Sequence, residues 1–161
     1  MPAITPHLWF DDQAEEAAEL YCSIFPNSRV LETHRFEDTG PDNDLIATQV
    51  SFELSGQKVF ALNAGPAFKL NEAFSFFVEC DTQEEVDEYW AKLTADGGEE
   101  SQCGWLKDRF GVSWQIIPKL LGELLGDEDP NKAQRVMNAM LQMGKIECDA
   151  LLRAYEEPVN A

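Results

Sequence analysis

Trp105, Lys107 and Gln115 stand in the stretch CGWLKDRFGVSWQIIP (residues 103–118) at a spacing that can bring an indole ring, an ammonium group and an amide onto one surface. Such a set could hold an organic molecule. The ring is a flat apolar wall, the amide donates and accepts, and a lysine facing the pocket favours a carboxylate or phosphonate on the ligand. The spacing depends on the turn between them: Asp108-Arg109-Phe110-Gly111 suits a type I turn closed by a left-handed glycine, with a one-residue bulge. A hairpin of that kind pairs Asp108 with Val112, Lys107 with Ser113, Leu106 with Trp114 and Trp105 with Gln115. Paired residues share a face, so Trp105, Lys107, Ser113 and Gln115 form a mixed polar surface while Leu106, Trp114 and Ile116 form an apolar one.

Other reactive residue types are present without a partner pattern. Cys22, Cys80, Cys103 and Cys148 are scattered, with no C-x-x-C pair and no histidine at metal spacing, and read as buried thiols. Cys103, at the expected start of a strand, is the one to test for reactivity, because Lys107 and Arg109 are near in sequence and a cation favours thiolate. Neither His7 nor His34 stands in a recognisable nucleophile–base–orienter set, and His34 is assigned no role. Asp108 reads as a turn carboxylate that caps local backbone amides, more than as a catalytic partner of Arg109.

The composition excludes several classes. With 161 residues, 44% apolar and 11% aromatic, the chain is expected to be a single globular domain (1–161), able to bury roughly 70% of its unfolded surface. No run approaches the roughly 18 apolar residues of a membrane span, and MPAITPHLWF lacks a cationic region before its apolar residues. We expect a cytoplasmic protein. A formal charge of -18 repels nucleic acid and anionic membranes, which are therefore not expected as partners.

The elements that position these residues follow in order. Ile4–Phe10 reads as a strand, and Asp12 with Glu15 as the capping box of a helix whose buried stripe is Ala14, Ala17, Ala18, Tyr21, Ile24 and Phe25. Arg29–Phe36, Leu45–Leu54 and Gln57–Asn63 read as strands, with a loop at 37–44 and a turn at Ser55-Gly56. The pattern then restarts: a strand over Ala73–Cys80, and a helix capped by Asp81 or Thr82 with Val86, Tyr89, Trp90 and Leu93 inward. A short strand near Glu99–Gln102 and the hairpin complete the repeat. Setting Asp81 on Asp12 superposes Glu84, Glu85 and Glu88 on Glu15, Glu16 and Glu19. Two βαβββ modules are therefore expected, at 1–66 and 70–118, followed by C-terminal helices over 119–157. Asp129-Pro130 caps one of these, whose face of Ala133, Val136, Met137, Met140 and Leu141 reads as core or a dimer contact. Paired modules with that apolar helix suggest a homodimer. Ile146–Glu156 is a last helix, and 158–161 a frayed end.

These pieces resemble the vicinal oxygen chelate (VOC) superfamily of glyoxalases, bleomycin-resistance proteins and extradiol dioxygenases. More narrowly, the chain resembles the PhnB-like family whose domain carries the name demethylubiquinone 3-methyltransferase. The resemblance is carried by ITPHLWFDDQAEEAAELYCSIFPNS, GQKVFALNAGPAFKLNEAFSFFVECDTQEEVDEYW, CGWLKDRFGVSWQIIP and DPNKAQRVMNAMLQMGKI. It implies an α+β fold of paired βαβββ modules forming a cupped mixed sheet. Superfamily enzymes hold one divalent metal with His or Glu on the first, fourth, fifth and eighth strands. Here those places fall near His7, on Asn63 or Ala61, at Ala73–Ser75 and on Gln115, so His7 is the only metal candidate. Asn63, Ser75 and Gln115 beside Phe77, Trp105 and Lys107 suggest instead a metal-free pocket with no cofactor. The alternative implied by the superfamily is a divalent-metal lyase or dioxygenase. A methyltransferase is implied by the family name, although no Gly-x-Gly turn opens a helix.

Overall fold

The computed structural model describes residues 1–37 and 45–157, and the expected loop at 38–44 and end at 158–161 lie outside them. The chain divides into two compact units, Met1–Leu70 and Asn71–Ala161.

The first unit runs β1 (His7–Phe10), α1 (Ala14–Ile24), β2 (Arg29–Glu37), β3 (Leu45–Leu54) and β4 (Gln57–Asn63). Its sheet has the order β1-β4-β3-β2, with β1 parallel to β4 and the other pairs antiparallel. Helix α1 buries the stripe read from the sequence, Ala14, Ala17, Ala18, Tyr21 and Ile24. Small residues on that stripe let the helix lie close to the sheet, where the Tyr21 and Phe52 ring centroids are 6.3 Å apart.

The second unit repeats the plan. It runs β5 (Ser75–Cys80), α2 (Gln83–Thr94), β6 (Glu99–Glu100), β7 (Trp105–Lys107) and β8 (Ser113–Pro118), with sheet order β5-β8-β7-β6. Superposing Asp81 on Asp12 carries Ala14, the first residue of α1, onto Gln83, the first of α2. Three helices follow: α3 (Lys119–Leu125), α4 (Pro130–Met140) and α5 (Cys148–Glu156). They close over a core of Ile117, Leu121, Leu124, Val136, Ile146 and Leu151, against which Met140 and Met143 pack. Of the expected Met face, Val136 is core and Met140 packs against it. The fold is α+β, with two mixed four-stranded sheets.

Several local expectations need correction. Helix α1 does not use an Asp12 capping box: its N-cap is Gln13, which makes no side-chain cap hydrogen bond, and Ala14 N donates instead to Asn63 Oδ1 at 2.7 Å. The reason is the parallel β1–β4 register, which sets Asn63 opposite Phe10 at the mouth of the β1–α1 turn. Strand β1 begins at His7, just after Pro6, which has no N–H to give a ladder. Strand β6 ends at Glu100, not Gln102, because the chain turns there with Cys103 at φ 59° and Gly104 at φ 82°. Cys103 N and Gly104 N donate to Met143 O and Gly144 O, both at 2.8 Å, which ties the turn to the C-terminal helices. The caps of α2 and α4 are as expected: Thr82 accepts from Glu85 N, and Asp129 from Asn131 N with proline in the first turn.

Candidate functional site

The hairpin holds the predicted register. Trp105 faces Gln115, Leu106 faces Trp114 and Lys107 faces Ser113, while Asp108 N donates to Val112 O at 2.9 Å. Gly111 takes φ 90°, the left-handed position that closes the turn. The buried Asp108 carboxylate organises this turn. Its Oδ1 accepts from Phe110 N at 2.9 Å and Val112 N at 3.0 Å, and its Oδ2 accepts from Trp114 Nε1 at 2.9 Å.

Strand registers align two rows on one face of this sheet. Glu99, Lys107, Ser113 and Ser75 make one row across β6, β7, β8 and β5, and Trp105, Gln115 and Phe77 make the next. The opposite face, carrying Leu106, Trp114 and Ile116, is buried. Helix α2 covers that side, and its Trp90 Nε1 donates to Glu100 Oε1 at 2.7 Å.

On the polar face, Gln115 Nε2 donates to Ser75 Oγ at 3.0 Å. Lys107 Nζ is paired with Glu72, from the segment before β5. That hydrogen bond pushes Lys107 above its ordinary value, with the Glu99 charge adding, and holds Glu72 below its own. Ser113 Oγ has no hydrogen-bond partner among the described residues, although Ser113 is only 1% exposed. A hollow of about 120 Å³ lies here, lined by Glu72, Glu99, Glu100, Ser101, Trp105, Leu106, Lys107 and Ser113. Phe77, at the end of its row, is 57% exposed.

Asn63 lies in the other unit, with its amide oxygen committed to α1. An open hollow there, about 380 Å³, includes Asn63, Asp11, Asp12 and Thr48. Arg35 and Glu15 also line it, and both Glu15 oxygens accept from Arg35 Nη2, at 3.0 and 3.1 Å. His7 is exposed, with Nε2 3.4 Å from Gln49 Nε2, and its ring is 6.0 Å from that of Phe60. His34 pairs with Glu32 at 3.0 Å. Among the described residues no group of three or more His, Cys, Asp or Glu is arranged to hold a metal ion. The donors at the positions that the resemblance assigns to a metal do not fit a divalent site: Gln115 and Ser75 are neutral and bonded to each other, and Asn63 Oδ1 holds a backbone amide.

Of the four cysteines only Cys80 is buried; Cys22, Cys103 and Cys148 are partly exposed, not the buried thiols expected. All four are free thiols, and burial pushes Cys80 up to about 12, with Glu85 and Asp81 adding to the effect. The two cations that suggested a reactive Cys103 are paired elsewhere, Lys107 with Glu72 and Arg109 with Asp96 at 3.7 Å.

Two βαβββ modules of equivalent strand order, each with one helix on its sheet, define a member of the vicinal oxygen chelate superfamily. Within it, the chain belongs to the family described as 3-demethylubiquinone-9 3-methyltransferase, whose model matches residues 2–117. A putative 3-demethylubiquinone-9 3-methyltransferase, PhnB protein, from Bacillus cereus is 32% identical and superposes with a TM-score of 0.63, covering 73% of this chain and 99% of its own. Protein PA1353 from Pseudomonas aeruginosa is 18% identical with a TM-score of 0.59, over 73% of this chain and 98% of that one. The fosfomycin resistance protein FosX from Listeria monocytogenes is 19% identical with a TM-score of 0.54, over 78% and 98%. These two share the fold alone. None of the curated proteins matches the chain. The family match ends at Ile117, so DPNKAQRVMNAMLQMGKI and the helices around it lie beyond it.

Sequence reasoning placed Ser113 on the correct face but did not count it in the site, and it missed Glu72 and Glu99. Glu99 could have been found by extending the hairpin register one strand further. Glu72, in a segment without periodicity, gives no such signal.

Proposed function

We propose that this protein binds a small organic molecule on the face of its second module that carries Ser75, Phe77, Trp105, Lys107 and Gln115, and that it does so without a divalent metal. One observation supports this reading: Gln115 donates to Ser75, a neutral donor–acceptor pair at the two positions that the resemblance assigns to metal ligands. The pair can accept from and donate to a ligand, and Phe77 and Trp105 beside it offer aromatic surface to a planar or amphipathic one. Asn63 is left out, because its oxygen serves helix α1. We assign no catalytic residue, and methyl transfer is not part of the reading, because the sequence has no glycine-rich turn opening a helix.

We also infer a homodimer. Strand β2 is the edge of its sheet and is exposed along its whole length, with Val30, Leu31 and Phe36 outward. Among the described residues no strand pairs with its outer side, and an open edge can take a strand from a second copy. Sedimentation at micromolar concentration tests this, and a monomer there would refute it. Free thiols suit a reducing compartment, and we place the protein in the cytoplasm.

The pocket is tested with a fragment library screened by protein-observed NMR. Fragments that perturb the Trp105 indole resonance should lose their binding in both Gln115→Leu and Trp105→Ala. Unchanged affinity in both variants would sink the assignment.

A further inference from the structure

The hollow over the Glu99–Lys107–Ser113 row is more acidic than its lysine suggests. Glu72, Glu99 and Lys107 line it, and the ammonium is already paired with Glu72. Glu100 accepts from Trp90, which leaves the Glu99 carboxylate facing the space. Ser113 also lines it, 1% exposed and with an Oγ that has no hydrogen-bond partner among the described residues. A buried hydroxyl left in that state is unfavourable, and a ligand atom that bonds to it removes the penalty.

We propose that this hollow takes the protonated primary amine of the ligand, and not the carboxylate or phosphonate that Lys107 by itself would favour. This deepens the pocket reading above and rests on it. An ammonium group donates one N–H to Ser113 Oγ and a second to Glu99, and it lies beside the Trp105 indole, whose ring face attracts cations. An anion entering the same space must displace Glu72 from Lys107 and then stand close to Glu99. The charge of -18 on the whole chain also concentrates cations at its surface. A volume of about 120 Å³ suits a head group, with the rest of the molecule lying along Gln115 and Phe77.

Three probes of nearly one shape test the idea on the full chain: benzylammonium, benzyl alcohol and benzoate, titrated at neutral pH and followed by 1H–15N NMR. Benzylammonium should shift the Trp105 indole and the Ser113 and Lys107 amides. Its binding should weaken with added salt and fall about tenfold in Glu99→Gln and in Ser113→Ala. Glu99 is exposed, so Glu99→Gln keeps the fold and isolates the charge. Benzoate should leave these resonances unmoved. Should benzoate or benzyl alcohol shift them as strongly as benzylammonium, or Glu99→Gln leave amine binding intact, the cation assignment fails while the pocket stands. With no shift at Trp105, Ser113 or Gln115 from any of the three, both fail.

Discussion

Gln115 reaches past its own neighbour: its Nε2 donates to Ser75 Oγ at 3.0 Å, although Ser75 is registered opposite Ser113 and Gln115 opposite Phe77. The amide takes the diagonal position across a parallel pair, within reach of a long side chain. Ser75 is thereby bonded by the residue next in line, while Ser113 Oγ has no hydrogen-bond partner among the described residues.

The Ser113 hydroxyl predicts a gain in stability when it is removed. Ser113→Ala removes a buried hydroxyl that has no partner among the described residues, and without ligand it should stabilise the protein by about 1 kcal/mol. Urea unfolding of both proteins measures it. A loss of similar size would mean that the hydroxyl is bonded in solution.

Asp108 predicts the opposite. Its two oxygens accept three N–H groups inside the turn, and Trp114 behind it is fully buried. Asp108→Asn sets an NH2 group against one of those donors, and should cost about 3 kcal/mol by chemical denaturation. An effect below about 1 kcal/mol would show that the turn is held by backbone bonds alone.

Two glycines separate conformational cost from packing cost. Gly111 has φ 90° and nothing within 4 Å of an added Cβ, so Gly111→Ala should cost about 1 kcal/mol. Gly104 has φ 82°, but its Cβ would stand 2.7 Å from Ile117 Cδ1 and 3.1 Å from both Ile116 O and Ile146 Cγ1. Gly104→Ala should cost about 3 kcal/mol, because the crowding lies between the sheet and the C-terminal helices. Thermal melting of the two variants compares them, and equal losses would remove the packing argument.

Acid should loosen the C-terminal helices. The Tyr155 hydroxyl holds Asp127 below its ordinary 3.8, and Lys145 with Gln83 holds Asp87 below the same value. A carboxyl lowered by folding contributes in full above its unfolded value and loses that contribution as pH falls through the folded one. Stability should therefore be flat from pH 6 to about 4 and decline below it. Asp127→Asn and Asp87→Asn should each flatten part of that decline in urea midpoints taken at pH 6 and pH 3. An unchanged slope in both would show that these pairs are screened in solution.

Much of this protein was legible in its residues. The Asp108–Gly111 turn, the pairing of Trp105 with Gln115 and the two faces of the hairpin follow from local rules, because alternation and turn chemistry act within a few residues. The stripe of α1, the caps of α2 and α4 and the repeated order of elements are local in the same sense. Tertiary structure decided where long side chains ended. Asn63 caps a helix 49 residues earlier in the chain, Glu72 pairs with Lys107, Gln115 bonds Ser75 instead of leaving both free, and Met143 and Gly144 hold the turn at Cys103-Gly104. Each depends on which strands and loops become neighbours, and spacing along the chain carries no record of that. For the same reason the hairpin could be drawn from sixteen letters, whereas the charge of the hollow above it could not.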